Sequence, residues 1–180
     1  KKKWYFGAKS GVRENGGVFF HASTWAVIAE TLLNRSEQAY SLYHRELPPI
    51  RNDRADQCMV EPYVYSSSMI GPSHERYGAG VGSWLSGTAS WMFLAASQYI
   101  LGFRPDYDGV IIDPCVPKEW NGFSYERLYR GVKCEVVSPA IPKSGARAKA
   151  LIVDGTRIEG NFVSADMLEG KEKVKIEIEY

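Results

Sequence analysis

Apolar residues recur at helical spacing in two stretches of the first half of the chain. Between residues 24 and 46 they lie three and four positions apart, which is typical of one face of an α-helix. Ser23 is the predicted N-cap of this helix, and a break is predicted around Asn34. A second helix is predicted from Thr88 to Leu101, because Gly102 is a natural C-terminal stop. The first half of the chain is therefore predicted to be mainly helical.

The segment between these helices, residues 47–82, is repeatedly interrupted by proline and glycine. This composition predicts a long irregular excursion and not a regular element. Long loops inside folded domains usually have a function, so binding residues are expected here.

The pattern changes to short β-prone runs from about residue 104 onward. The clearest run alternates charged and apolar residues from Lys173 to Tyr180, which is typical of a half-buried strand. Helices followed by strands favour separate helical and β layers over a doubly wound sheet. The predicted strands are Val110–Ile112, Tyr125–Tyr129, Lys133–Val137, Ala150–Val153 and Val174–Ile178.

Composition is that of a folded globular protein: of 180 residues, 44% are hydrophobic and 24% are charged. The formal net charge is only +1, so no overall field favours nucleic acid or an anionic membrane, and neither partner is expected. The longest apolar stretch, residues 91–103, is interrupted by polar residues and is too short to cross a bilayer.

Two further features bear on the compartment. The three cysteines include no Cys-x-x-Cys pair, which favours reduced structural thiols and a cytoplasmic location. Residues 1–7 contain lysines but no sustained apolar region and no small-residue cleavage site. The start of the chain is therefore expected to be a cut into a longer protein and not a secretion signal.

Two blocks, residues 13–21 and 83–91, combine small or flexible residues with hydrogen-bond donors. A backbone needs this composition to approach a bound anion or sugar closely. These blocks are the strongest candidates for a binding site.

Six blocks in one order resemble the inverting disaccharide phosphorylases of glycoside hydrolase family 94, typified by cellobiose and chitobiose phosphorylases. The resemblance runs from about Gly11 to Lys133, and its blocks are residues 13–21, 24–30, 61–65, 83–91, 99–105 and 112–118. It implies that residues 1–103 form the C-terminal helices of an (α/α)6 barrel and that residues 104–180 form a jelly-roll-like β-sandwich cap. The rest of the barrel would precede Lys1 in a parent polypeptide, which the resemblance implies is a homodimer.

The resemblance implies phosphorolysis of a β-linked disaccharide or oligosaccharide, with inversion, to an α-sugar 1-phosphate. Inverting hydrolysis pairs an acid with a carboxylate base, whereas phosphate is already nucleophilic and needs cationic and hydroxyl donors. No aspartate in the chain matches the family's general acid, which is expected upstream of Lys1. Phosphate is then a substrate, and no cofactor or metal is expected.

His21, Ser86 and Gly87 match the family positions that bind phosphate, and Thr88 is a further candidate. The family often has threonine at position 86, so Ser86 keeps the hydroxyl donor. Without the resemblance, the sequence around His21 indicates a packed or capping histidine near a helix start. Residues 86–88 read equally well as a helix N-cap, and that interpretation is compatible with anion binding.

Six residues are candidates for sugar contacts. At Arg13 the family commonly has lysine or arginine near the acceptor sugar, whereas an exposed arginine can simply be solvated. Ser67 stands where several relatives have a sugar-contacting glutamine, so this chain departs from the pattern there. Buried structural tyrosines would give the same sequence as sugar-binding ones. The candidates are Arg13, Glu14, Glu61, Tyr63, Tyr65 and Ser67.

Two other functions compete with a phosphorylase fragment. A non-catalytic carbohydrate-binding module would use the β half and exposed aromatic residues. A related glycoside hydrolase or cyclic-glucan-processing enzyme would share the sugar site but would form no sugar phosphate.

Overall fold

The computed structural model describes residues 9–180. The interpretation of residues 1–7 as a cut end concerns a segment outside the described residues. Contacts divide the chain into two compact units. The first unit contains the residues up to 27 together with 41–93, and the second contains 28–40 together with 94–180.

The helices of the chain are α1 (Phe20–Leu32), α2 (Ser36–Glu46), α3 (Pro48–Asn52), α4 (Ala55–Cys58) and α5 (Thr88–Leu94). The predicted break at Asn34 is confirmed, because Asn34 adopts φ +58° between α1 and α2. Asparagine tolerates this left-handed conformation better than most residues.

The predicted N-cap at Ser23 is wrong. Helix α1 begins three residues earlier, at Phe20, so that Ser23 lies inside its first turn. The hydroxyl of Ser23 donates to the carbonyl oxygen of Phe19, at 3.3 Å, four residues back along the chain. This is the bond that a serine forms within a helix, whereas an N-cap serine accepts from a following N–H.

Residues 47–82 are more regular than the composition predicted. Helix α3 begins at Pro48, where a first-turn proline sacrifices no helical hydrogen bond. Strands β1 (Val18–Phe19), β2 (Ser66–Met69) and β3 (Gly80–Ser83) form an antiparallel sheet in the order β1-β2-β3. The serines and glycines of β2 and β3 have low β-propensity, so pairing between distant segments decides their structure.

The second predicted helix is present but changes its geometry halfway. After α5 the chain continues as a π-helix over Ala95–Ile100, in which the N–H of Leu101 donates to the carbonyl of Ala96, at 2.8 Å. Gly102 ends this segment at φ +77°, as predicted. Apolar spacing does not distinguish α from π over so few residues.

All five predicted strands of the second unit are confirmed, with bounds shifted by no more than two residues. Three further strands, β4, β9 and β10, were not predicted. The strands are β4 (Phe103–Pro105), β5 (Gly109–Ile112), β6 (Phe123–Tyr129), β7 (Val132–Ser138), β8 (Ala150–Val153), β9 (Thr156–Glu159), β10 (Phe162–Ser164) and β11 (Lys173–Glu179).

These strands form two sheets that share one hydrophobic core. One sheet has the order β10-β5-β4, and the other has the order β6-β7-β11-β8-β9. Strand β11 pairs parallel with β7 and antiparallel with β8. The alternation predicted for β11 is confirmed, since Val174, Ile176 and Ile178 are buried while the residues between them are not. Phe103 and Ile112 of the smaller sheet pack into the same core.

The chain therefore combines helices with β-sheets, which agrees with the prediction that it has both helical and β parts. Its three cysteines are free and buried, as predicted for structural thiols. Burial raises the pKa of the Cys115 and Cys134 thiols to about 11, which keeps both protonated at neutral pH. Among residues 9–180, no helix has both the length and the apolar character that a membrane span requires.

Candidate functional site

The fold of the first unit brings His21 against Gly87. His21 follows β1 in the first turn of α1, and Gly87 directly precedes α5. A Cβ atom placed on Gly87 would lie 3.2 Å from Cε1 and 3.4 Å from Nδ1 of the imidazole. Such a contact is tighter than usual, so the absence of a side chain at Gly87 favours the close approach of the imidazole. Two predicted phosphate-binding residues that are distant in sequence are thus neighbours.

Aromatic rings surround the imidazole of His21. The ring centroids of Phe19, Trp25 and Trp91 lie 5.8, 5.5 and 5.9 Å from that of His21. Trp25 and Trp91 also meet edge to face at 6.2 Å, so the two tryptophans and His21 form one aromatic cluster. Sequence reasoning missed these three aromatic neighbours, although the two tryptophans lie in the 24–30 and 83–91 blocks.

The Nε2 atom of His21 is buried and has no hydrogen-bond partner among the described residues. Buried polar atoms are nearly always satisfied, so an unpartnered nitrogen calls for an explanation. A ligand oxygen that reached Nε2 would satisfy it.

Ser86 and Thr88 are joined by two hydrogen bonds at the start of α5. The N–H of Thr88 donates to Oγ of Ser86, at 3.0 Å, and the two hydroxyl groups are also hydrogen-bonded to each other. Thr88 is fully buried, whereas Ser86 is half-buried and Gly87 is exposed. The capping role considered for residues 86–88 is therefore present, and Ser86 and Gly87 are more accessible to a ligand than Thr88.

A cleft of about 530 Å³ in the same unit contains three of the predicted sugar-binding residues, Arg13, Glu14 and Ser67. Phe19 also lines it, so the cleft adjoins the aromatic surroundings of His21. The remaining lining residues are Gly17, Ser68, Val81, Gly82 and Leu85.

A tight turn presents Arg13 and Glu14 to this cleft. The N–H of Gly17 donates to the carbonyl of Arg13, at 2.9 Å, and a Cβ on Gly17 would lie 2.7 Å from the backbone nitrogen of Arg13. The carbonyl of Gly11 accepts from the N–H of Gly71, at 2.7 Å, which anchors the turn to the segment after β2. Gly17 therefore allows close packing of backbone against backbone within this turn.

Glu61 and Tyr63 form a group with Trp84 that sequence reasoning did not identify. The indole N–H of Trp84 donates to Oε1 of Glu61, at 2.9 Å, and the Tyr63 ring lies 6.0 Å from the Trp84 ring. Hydrogen bonds from the backbone N–H of Glu61 and from Trp84 lower the pKa of the Glu61 carboxyl. Tyr63 and Trp84 are 69% and 68% exposed, which makes their faces available to a sugar ring.

Tyr65 lies in different surroundings from the other candidates. It is half-buried near Tyr43, Glu46 and Arg51, and burial raises the pKa of its phenol well above the ordinary value. Tyr65 is not among the residues that line the 530 Å³ cleft. Its surroundings favour a structural role, the alternative that the sequence left open for the tyrosines.

Within residues 9–180, no group of histidine, cysteine and carboxylate side chains could hold a metal ion.

Comparison with known proteins gives matches to one family of carbohydrate-active proteins. The profile of the Glycosyl hydrolase 94 superfamily, catalytic domain, matches residues 5–102. The chain is 36% identical over 154 residues to an N,N'-diacetylchitobiose phosphorylase of Vibrio proteolyticus, an alignment of 84% of this chain and 19% of that protein. It is 34% identical over 151 residues to a solabiose phosphorylase of Paenibacillus borealis, covering 84% of this chain and 20% of that protein.

A third relative has a different activity in its name. The chain is 36% identical over 139 residues to the cyclic beta-(1,2)-glucan synthase NdvB of Rhizobium meliloti (strain 1021), covering 75% of this chain and 5% of that protein. The chain spans about a fifth of the length of the two phosphorylases that it matches.

Proposed function

The chain belongs to the Glycosyl hydrolase 94 superfamily, and on that premise we propose that it is part of an inverting phosphorylase. The parent enzyme cleaves a β-linked disaccharide or oligosaccharide with inorganic phosphate and releases an α-sugar 1-phosphate. The principal support is the imidazole of His21, packed against Gly87 with a buried and unpartnered Nε2.

In this proposal, His21, Ser86 and Gly87 hold phosphate, and Thr88 supports them through its bonds to Ser86. An anion at the start of α5 gains from hydroxyl and backbone donors and from the positive end of the helix. Donors fixed before the reaction stabilise the charge of the transition state without reorganisation.

The sugar lies in the cleft between the turn at Arg13 and Glu14 and the serine at Ser67. Glu61 and Tyr63 contact the sugar as part of the exposed group that they form with Trp84. Tyr65 has a supporting role, because it is half-buried near Glu46 and Arg51 and does not line the cleft.

The reaction is a single displacement. A phosphate oxygen attacks the anomeric carbon from the face opposite the leaving group, and the bond from that carbon to the glycosidic oxygen breaks. A general acid, an aspartate upstream of Lys1, donates a proton to the leaving oxygen. No cofactor takes part, because phosphate is itself a substrate.

Membership of this family also supports a proposal for the wider architecture. Residues 1–103 form the C-terminal part of an (α/α)6 barrel and residues 104–180 form a jelly-roll-like β-sandwich, both within a longer parent polypeptide. The parent is a cytoplasmic homodimer.

Two other functions have specific support. The identity to a cyclic glucan synthase favours a related glycan-processing enzyme. The exposed pair of Tyr63 and Trp84 has the form of the aromatic platform of a carbohydrate-binding module. Product analysis separates them, because only phosphorolysis yields sugar 1-phosphate.

The experiment measures phosphorolysis of a β-disaccharide at varied phosphate concentration, in the His21→Ala variant and in the wild-type parent enzyme. Loss of a charge-assisted donor should weaken phosphate use by about 1.5–3 kcal/mol, roughly 10- to 150-fold, while sugar binding changes little. His44→Ala in the last turn of α2 is the matched control. Unchanged phosphate dependence in the His21 variant, or sugar release without sugar 1-phosphate in the wild type, would contradict the proposal.

A further inference from the structure

A second cleft of the first unit, with a volume of about 500 Å³, is lined by three arginines. Arg45 lies in the last turn of α2, Arg51 lies in α3, and Arg54 directly precedes α4. One carboxylate, that of Asp53, also lines this arginine cleft, so its walls carry an excess of positive charge. Walls of this kind attract an anion.

The arginine cleft is distinct from the 530 Å³ cleft that contains Arg13 and Ser67. The two clefts have no lining residue in common. Ser68 and Met69, successive residues of β2, line the 530 Å³ cleft and the arginine cleft respectively. The two clefts are therefore neighbours with separate walls, and a ligand of the arginine cleft occupies a position of its own.

Arg51 brings an unsatisfied buried guanidinium group to this cleft. Its side chain belongs to a residue that is 8% exposed, and its Nε, Nη1 and Nη2 atoms have no hydrogen-bond partner among the described residues. Its Cζ atom lies 4.6 Å from the centroid of the Phe20 ring, a cation–π contact that leaves the hydrogen-bond donors unused. Buried guanidinium groups normally use their donors, because an unpaired buried charge is costly. An oxyanion in the cleft would supply the missing acceptors.

The positive charge of the arginine cleft is not balanced at close range. Within residues 9–180, no ion pair joins Arg45, Arg51 or Arg54 to a carboxylate. Glu46 attracts Arg51 without forming an ion pair, and burial raises the pKa of the Glu46 carboxyl to about 7, so its charge is only partly present at neutral pH. Arg45 donates to the carbonyl and the hydroxyl oxygen of Ser41, at 3.1 and 3.0 Å, and both acceptors are neutral.

The remaining polar and aromatic residues of the arginine cleft suit a sugar. Tyr77 is 53% exposed, and an exposed aromatic ring can pack against the face of a sugar ring. The side-chain N–H of Gln57 donates to the carbonyl of Tyr77, at 3.0 Å, which holds the amide close to this residue. The carboxylate of Asp53 can accept from sugar hydroxyl groups. Inorganic phosphate alone would need none of these three residues.

We propose that the arginine cleft binds a sugar phosphate, whose phosphoryl group is held by Arg51 and Arg54 and whose sugar ring lies against Tyr77. Arginine is suited to phosphoryl oxygens, because its planar group donates two parallel hydrogen bonds. The cleft volume falls within the range of small-molecule sites, about 300–1,000 Å³. This site does not depend on the phosphate contact proposed for His21, so the two proposals can fail separately.

The test is isothermal titration of the parent enzyme with glucose 6-phosphate, which has a phosphoryl group and a sugar ring but is not a product of the proposed reaction. Wild type should bind it about tenfold more tightly than inorganic phosphate or glucose. Arg54→Met and Arg51→Met should each weaken its binding about 10- to 150-fold, because each removes a charge-assisted donor. Arg35→Met is the matched control, because Arg35 is an exposed arginine that does not line the cleft.

Two further variants separate the parts of the ligand and the two proposed sites. Tyr77→Ala should weaken binding of glucose 6-phosphate about two- to tenfold and leave binding of inorganic phosphate unchanged. His21→Ala should leave binding of glucose 6-phosphate unchanged. Arg54 is exposed, so Arg54→Met tests the site even if thermal unfolding shows that Arg51→Met does not fold.

Three outcomes would overturn the proposal. Equal binding of glucose 6-phosphate by Arg54→Met and Arg35→Met would remove the arginine cleft as its site, and loss of binding in His21→Ala would place the ligand at the proposed phosphate position instead. Inorganic phosphate bound as tightly as glucose 6-phosphate would overturn the sugar contact. No binding by the parent enzyme, together with a lower melting temperature of Arg51→Met, would show that a carboxylate of the parent polypeptide occupies the cleft.

Discussion

Gly87 lies where the imidazole of His21 meets the start of α5, so both can contact the proposed phosphate. Gly87 lets the imidazole of His21 approach, while Ser86 beside it uses its hydroxyl oxygen to accept from the N–H of Thr88. The same hydroxyl that stabilises α5 thus lies next to the proposed phosphate position. Capping and anion binding do not compete here, because both require donors directed at the start of a helix.

Ser86→Ala should therefore lower phosphorolysis, whereas Ser86→Thr should be tolerated, since the proposed phosphate contact requires a hydroxyl and not a particular side chain. Loss of one neutral donor to an anion costs about 1–3 kcal/mol, roughly five- to 150-fold in rate. Phosphate-dependent rates of the folded variants provide the measurement. Ser90→Ala, at an exposed position of the same helix, is the control. If Ser86→Ala behaves like wild type while Thr88→Ala abolishes activity, the proposed phosphate position is shifted along the turn.

Which residues form the site could be predicted from sequence only in part. Spacing alone could not place His21 beside Gly87, because tertiary folding joins them; the resemblance to a family supplied the pairing. Tyr63 and Tyr65 could not be distinguished in sequence, yet Tyr65 is half-buried near Glu46 while Tyr63 is exposed beside Trp84. Burial depends on neighbours from distant segments, and no local pattern reports it.

At the scale of elements, prediction succeeded where the local pattern and the tertiary environment agree. Strand β11 has a buried face and a charged face, so its alternation survives in the structure. Strands β3 and β9 were missed because Gly-Val-Gly-Ser and Thr-Arg-Ile-Glu show no buried face of their own. Their hydrogen bonds come from the pairing of β3 with β2 and of β9 with β8.

The core of the second unit should be sensitive to truncation on the inner face of β11. Ile176 is fully buried, and Ile176→Ala should destabilise the protein by about 2–5 kcal/mol, because the cavity adds to the lost burial. Lys175→Ala, one residue away on the outer face, should have a small effect, since the ion pair of Lys175 with Glu177 lies at the surface. Denaturant unfolding of both variants tests the assignment. Equal losses would show that the two faces are not distinguished as described.

At the scale of the whole molecule, the chain contains a proposed phosphate site and part of a proposed sugar site but no assigned acid. The second unit has a continuous core under two sheets. The first unit exposes several large apolar side chains near the proposed site, including Phe19, Trp25, Trp84 and Leu85. Exposed aromatic residues beside a cleft suit either a sugar or a further segment of protein.

The proposal places the general acid in another part of the parent enzyme, and this predicts how the isolated 180-residue chain behaves. It should not convert a β-disaccharide and phosphate into sugar 1-phosphate, because the proposal places the acid that protonates the leaving oxygen upstream of Lys1. The expected result is no sugar 1-phosphate above the uncatalysed level, with the full-length parent as the positive control. Circular dichroism should still show the strands of the second unit, whose core lies within this chain. Turnover by the isolated chain would mean that the acid lies among residues 1–180.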